Sequence, residues 1–89
     1  MPTIAFSKNI RTHVDVDRTA VAGKTVREAL DSVLETQPKL GSYLLDDAGG
    51  VRKHVAIFIN GESIRDREKL SDAVAESDEI FVMQALSGG

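Results

Sequence analysis

Residues 78–89 read DEIFVMQALSGG, a short apolar strand that runs directly into a glycine pair. Ile80 and Val82 fall on one face of an extended chain, and Phe81, Met83 and Ala85 fall on the other. Both faces are apolar, as in strands that are buried on both sides. The pattern recurs in HVAIFINGESIR, residues 54–65, where Val55, Ile57 and Ile59 oppose Ala56 and Phe58. Asn60-Gly61 follows that strand and suits the left-handed torsions of a tight hairpin, so a short return strand is expected.

Further upstream the period changes. In TVREALDSVLETQP, Val26, Leu30, Val33 and Leu34 recur at helical spacing with Ala29 beside them. Thr25 is a candidate N-cap, and Glu28, three residues on, can close a capping box. Pro38 disfavours helical torsions at Gln37, so this main helix is expected at about residues 25–37. The segments PTIAFSK and THVDVDRTAV alternate apolar and polar residues, as half-buried strands do. SKNIR between them reads as the turn of an opening hairpin. KLGSYLLDDAGGVRK reads as a long connection whose Tyr43, Leu44 and Leu45 tuck back onto the domain.

The order is strand, strand, helix, strand, short strand, strand. It predicts an α+β fold, a mixed sheet of four or five strands with one main helix on one face. The alternative is a ferredoxin-like sandwich, which needs a second helix at residues 66–77, where Leu70, Ala73 and Val74 form only a narrow apolar stripe. One domain is expected over residues 1–85, with a flexible tail at 86–89.

Composition narrows the function classes. The 89 residues are 42% hydrophobic and 28% charged, which is the balance of one small globular domain. The net charge of −3 lacks the basic footprint of a nucleic-acid binder. No stretch approaches the roughly 18–20 apolar residues of a membrane span. The opening MPTIAFSKNI has no basic segment before a long apolar run, so no signal peptide is expected. There is no cysteine, which removes disulfides, thiolate metal sites and cysteine nucleophiles, and is compatible with a cytoplasmic address.

A single helix covers only one face of a sheet. Phe58, Phe81 and Met83 are therefore surplus to the core and read as an exposed docking patch. The other reading is that the loop carrying Leu44 and Leu45 covers them. The groups available for catalysis are sparse. His13 and His54 have no companions at metal-ligand spacing. Asp46–Asp47 and Asp78–Glu79 sit beside turns and read as solvated pairs. Gly49–Gly50 precedes no lysine–serine pair, so a phosphate loop is not indicated. Arg52 and Lys53 are either a solvated strand edge or a basic docking step. No catalytic residue and no metal site are expected. The reactive group that remains is the Gly89 carboxylate. Two glycines can thread a channel closed to side chains. A carboxylate becomes an electrophile only when activated, and no nucleotide-binding motif is present to do so, which calls for a partner that binds ATP.

Taken together, the strand order, HVAIFING, DEIFVMQAL and the Gly88–Gly89 end resemble the MoaD/ThiS family of ubiquitin-like sulfur carriers, across essentially the whole chain. VRKHVAIFINGESIR is most similar to the CysO-type carriers. The resemblance implies a β-grasp fold. It implies that an adenylating enzyme of the MoeB/ThiF type converts the Gly89 carboxylate to an acyl-adenylate with ATP. Sulfur transfer then gives a thiocarboxylate for a sulfur-accepting biosynthetic enzyme, in the cysteine, molybdopterin, thiamine or a related pathway. Gly88 and Gly89 match the family's terminal pair, with Leu86 and Ser87 as the tail leading to them. By strand position, Phe58, Phe81 and Met83 fall where the family docks partners. The resemblance also allows conjugation of Gly89 to other proteins, and a non-reactive binding subunit is the third reading.

Overall fold

In the computed structural model, residues 1–11 and 18–84 are described. Five strands form one mixed sheet: β1 (Thr3–Phe6), β2 (Arg18–Ala20), β3 (Val55–Ile59), β4 (Glu62–Ser63) and β5 (Glu79–Gln84). Their order across the sheet is β2-β1-β5-β3-β4. The first and last strands are neighbours and pair in parallel, with Ile4 opposite Ile80 and Phe6 opposite Val82. Every other pairing is antiparallel.

Alternation along the strands selects the buried face. Ile4 and Phe6 of β1, Val55 and Ile57 of β3, and Ile80 and Val82 of β5 are each at most 2% exposed. Against them pack Val26, Ala29, Leu30 and Val33 of α2 (Val26–Leu34) and Leu40 and Leu44 of α3 (Lys39–Leu44). Ile57 is fully buried in this cluster. Ile57→Ala should therefore destabilise the domain by about 2–5 kcal/mol, from lost transfer energy plus the cavity left behind. Chemical denaturation measures this, and a loss below about 1 kcal/mol would show that the layers close over the gap.

α2 begins as its sequence dictates. The Thr25 side chain accepts from the Glu28 N–H at 3.2 Å. Glu28 reaches back to the Lys24 N–H at 2.9 Å, one residue before the cap. The Val26 and Arg27 N–H groups, which have no partner within the helix, donate to the carbonyls of Asp72 and Leu70. The helix stops at Leu34, short of the expected 37, where the Thr36 N–H tightens to a three-residue bond onto the Val33 carbonyl, which the Thr36 hydroxyl also reaches.

Two sequence expectations are corrected. SKNIR, expected as the turn of an opening hairpin, contains one helical turn, α1 (Lys8–Arg11), which buries Ile10 completely, although β1 and β2 do pair antiparallel. The strand expected at residues 12–21 is present as β2 (Arg18–Ala20); His13, Val14 and Val16 lie outside the described residues. The connection after Pro38, expected as a loop, contains α3, so among the described residues α3 lies over the sheet beside the main helix α2, and α1 is a single turn between β1 and β2. Leu40 and Leu44, four residues apart, carry the apolar face of α3, and Gly41 and Ser42 weaken its signal.

Residues 66–77 form turns and a bridge, which removes the ferredoxin-like alternative. Two aspartates account for this. Asp66 accepts from the N–H groups of Glu68, Lys69 and Ser71 and from the Ser71 hydroxyl. Asp72 accepts from the N–H groups of Arg65 and Asp66. Side chains that capture nearby backbone donors compete with a helix. Leu70, buried at a φ of 56°, completes the break.

A candidate docking face and the root of the C-terminal segment

The Asn60-Gly61 turn forms as expected, with φ of 51° and 85°. It sets the register of everything beyond it. The Asn60 side chain donates to Asp78 at 2.9 Å and accepts from the Glu79 N–H at 2.9 Å, tying the hairpin tip to the start of β5. The Asp78 carboxyl is held below its ordinary range by the Ala75 N–H and then by Asn60. This carboxylate is a structural acceptor, and so is Asp46, which takes the N–H groups of Ala48 and Gly50.

With the register set, Phe58 stands directly opposite Phe81, Ala56 opposite Met83, and Ala5 of β1 on the other flank of Phe81. These positions alternate with the buried ones and so lie on the face away from α2 and α3. Phe81 is 40% exposed, and Phe58 and Met83 are half-buried. An Arg18–Glu79 ion pair of 3.2 Å, more than half exposed on both sides, borders the patch. The loop reading is excluded by where the leucines go: Leu44 and Leu45 are in the core cluster with Ile57 and Val82.

Arg52 and Lys53 precede β3 and differ in role. Lys53 is exposed. Arg52 is half-buried and donates from Nε to the Ser42 carbonyl at 2.9 Å, bracing α3. The Arg67 guanidinium, absent from the sequence reading, donates to the Arg52 and Val55 carbonyls at 2.8 and 2.7 Å and holds this turn against β3.

Gln84 ends β5 and carries the last register pair, with Val55. Its N–H donates to the Ser7 hydroxyl at 3.3 Å, and its side-chain oxygen accepts from the Tyr43 hydroxyl. The Tyr43 ring meets His54 edge-on, with centroids 5.9 Å apart. Sequence reasoning passed over this group. The available signal was Gln84 itself, a polar residue in the core-facing row Ile80, Val82, Gln84. Leu86, Ser87, Gly88 and Gly89 lie outside the described residues.

The Asp66 carboxyl is held at about 2, below its ordinary 3.8, by the Lys69 N–H first and the Ser71 hydroxyl next. Folding therefore favours its carboxylate. That contribution is complete above about pH 4 and is lost as the pH falls from about 4 to about 2. Asp66→Asn should lower the melting temperature at neutral pH, and the gap to the wild type should close across that acidic window. A gap that stays constant with pH would show that the charge is not what matters. Among the described residues, no group of three or more His, Asp and Glu side chains is placed to hold a metal ion.

A mixed sheet with its first and last strands paired in parallel at the centre, gripping helices on one face, is the β-grasp of ubiquitin-like proteins. The solved structures agree. The chain superposes on a chain of the Amycolatopsis orientalis BexX/CysO complex with a TM-score of 0.86, at 22% identity and 100% coverage of both. On SAMP1 from Haloferax volcanii the TM-score is 0.80, at 27% identity, covering 99% of this chain and 98% of that one. In sequence, it is 33% identical to small archaeal modifier protein 1 of Haloferax volcanii over 86 residues, covering 97% of this chain and 87% of the relative. Residues 6–89 match the ThiS family, and the chain belongs to that family.

Proposed function

We propose that the chain is a sulfur carrier, a protein substrate and not an enzyme by itself. The supporting observation is the open apolar face of β5, which leads without a break into the segment ending Gly88–Gly89, inside a family match that runs to residue 89. Phe58, Phe81 and Met83 dock a MoeB/ThiF-type activating enzyme, with Lys53 at the margin. That enzyme supplies ATP, and the carrier itself holds no resident cofactor. The Gly89 carboxylate attacks the α-phosphorus and pyrophosphate leaves. A sulfide-level donor then attacks the acyl carbon; the C–S bond forms, the C–O bond to AMP breaks, and AMP leaves. The thiocarboxylate is delivered to a sulfur-accepting biosynthetic enzyme, and the partner sets whether cysteine, molybdopterin, thiamine or a related compound is made. We place this exchange in the cytoplasm; among the described residues no helix is long and apolar enough to cross a membrane.

The second reading, a protein modifier, is favoured by the name of the relative at 33% identity. Activation is the same, but a lysine amine replaces the sulfur donor. Intact-mass spectrometry of the protein from its own cells separates the two. One sulfur gained for one oxygen at Gly89 supports the carrier. Conjugates linked through Gly89 support the modifier. Neither form, in cells with active sulfur assimilation, overturns both.

A further inference from the structure

We infer that the hydrogen bond from the Tyr43 hydroxyl to the Gln84 side chain clamps the root of residues 85–89 and thereby positions Gly88–Gly89 for activation; the positioning half rests on the carrier reading. Among the described residues Gln84 is the last one paired in the sheet, and it is held from three sides. Val55 of β3 pairs with its backbone. Ser7, just past β1, accepts its N–H. Tyr43 of α3 holds its side chain. β1 has already stopped pairing, at Phe6 opposite Val82, so Gln84 has a ladder partner on one side only.

An apolar side chain here would extend the row of Ile80 and Val82. A glutamine instead accepts from a hydroxyl delivered by a different layer. The five residues beyond it can span about 16 Å when extended, at about 3.3 Å each. A rotation of about 20° at the root would move the far end by roughly 5 Å. A loosened root must be ordered on binding. Fixing one residue's backbone corresponds to about a 5- to 30-fold penalty, which appears in KM when kcat is unaffected. Tyr43 and Gln84 are thus positioning residues: they touch neither ATP nor the acyl carbon.

The test uses the full chain in two arms. In the first, 15N relaxation reads the Gln84 amide, whose order parameter should fall from about 0.85 to below about 0.6 in Tyr43→Phe. Tyr43→Phe keeps the ring against His54. In the second, adenylation by a MoeB/ThiF-type enzyme is measured. Tyr43→Phe and Gln84→Leu should raise KM about 5- to 30-fold with kcat unchanged. Gln84→Glu, which keeps the acceptor, should restore both parameters. An unchanged Gln84 order parameter overturns the clamp, whatever the enzyme does. A loosened root with unchanged KM overturns the positioning role. A wild-type chain that is never adenylated overturns the carrier reading and positioning with it, while the relaxation arm still decides the clamp.

Discussion

Removing Gly89, or replacing Gly88 with valine, should abolish adenylation while the domain melts as the wild type does. Deletion withdraws the carboxylate by about 3.3 Å, and misplacement of about 1 Å can already cost roughly a hundredfold. Gly88→Val adds a branched side chain where the proposed channel admits none, and it removes torsions open only to glycine. ATP–pyrophosphate exchange should fall at least about a hundredfold in both variants. Stability should change by no more than about 0.5 kcal/mol, the range of substitutions outside the core. Among the described residues the buried core ends at Val82, seven positions before the last residue. Exchange that persists in the deletion variant would remove Gly89 as the reactive terminus. A marked fall in melting temperature would mean that the end of the chain is part of the fold.

Phe81→Asp separates docking from folding. Phe81 is the exposed member of the Phe58–Phe81 cross-strand pair, at the middle of the open face. A carboxylate there puts a hydrated charge at the centre of an interface that must be desolvated. Central aromatic anchors cost about 2 kcal/mol or more when lost, roughly thirtyfold in affinity. The cost to stability should be about 1 kcal/mol, the span of strand preference, because Phe81 is not part of the buried core. Titration against the activating enzyme, with thermal melting of the free protein, reads both quantities. Full-strength binding would move the interface elsewhere. Collapse of the fold would make Phe81 a core residue and contradict its exposure.

The parts of this fold legible in the sequence are those governed by neighbours in the chain. The two-residue period of EIFVMQ and VAIFI marks β5 and β3. The 3.6-residue period of Val26, Ala29, Leu30 and Val33 marks α2, and Thr25 and Glu28 mark its start. Asn60-Gly61 marks its own turn. α3 escaped notice because six residues containing Gly41 and Ser42 carry little helical signal, and tertiary burial of Leu40 and Leu44 stabilises it. The turns at residues 66–77 were legible only as a weak helix. Their conformation depends on Asp66 and Asp72 finding particular N–H groups, one of them seven residues away.

The docking face stands between these cases. Alternation shows that Phe58, Phe81 and Met83 share a side, but not whether a loop lies over it. Burial of Leu44 and Leu45 on the opposite side answers that. The clamp at Gln84 was hidden further still, since Tyr43 and Gln84 are 41 residues apart.

By itself, then, the sequence determined the strands, the capped helix, the hairpin and the glycine end, because backbone torsion and side-chain period are local properties. Only the tertiary structure decided that β5 lies between β1 and β3, that Phe81 is left exposed on the face away from the helices, and that Tyr43 of α3 meets Gln84 of β5. Those outcomes depend on which distant surfaces exclude water together, and no local pattern encodes that choice.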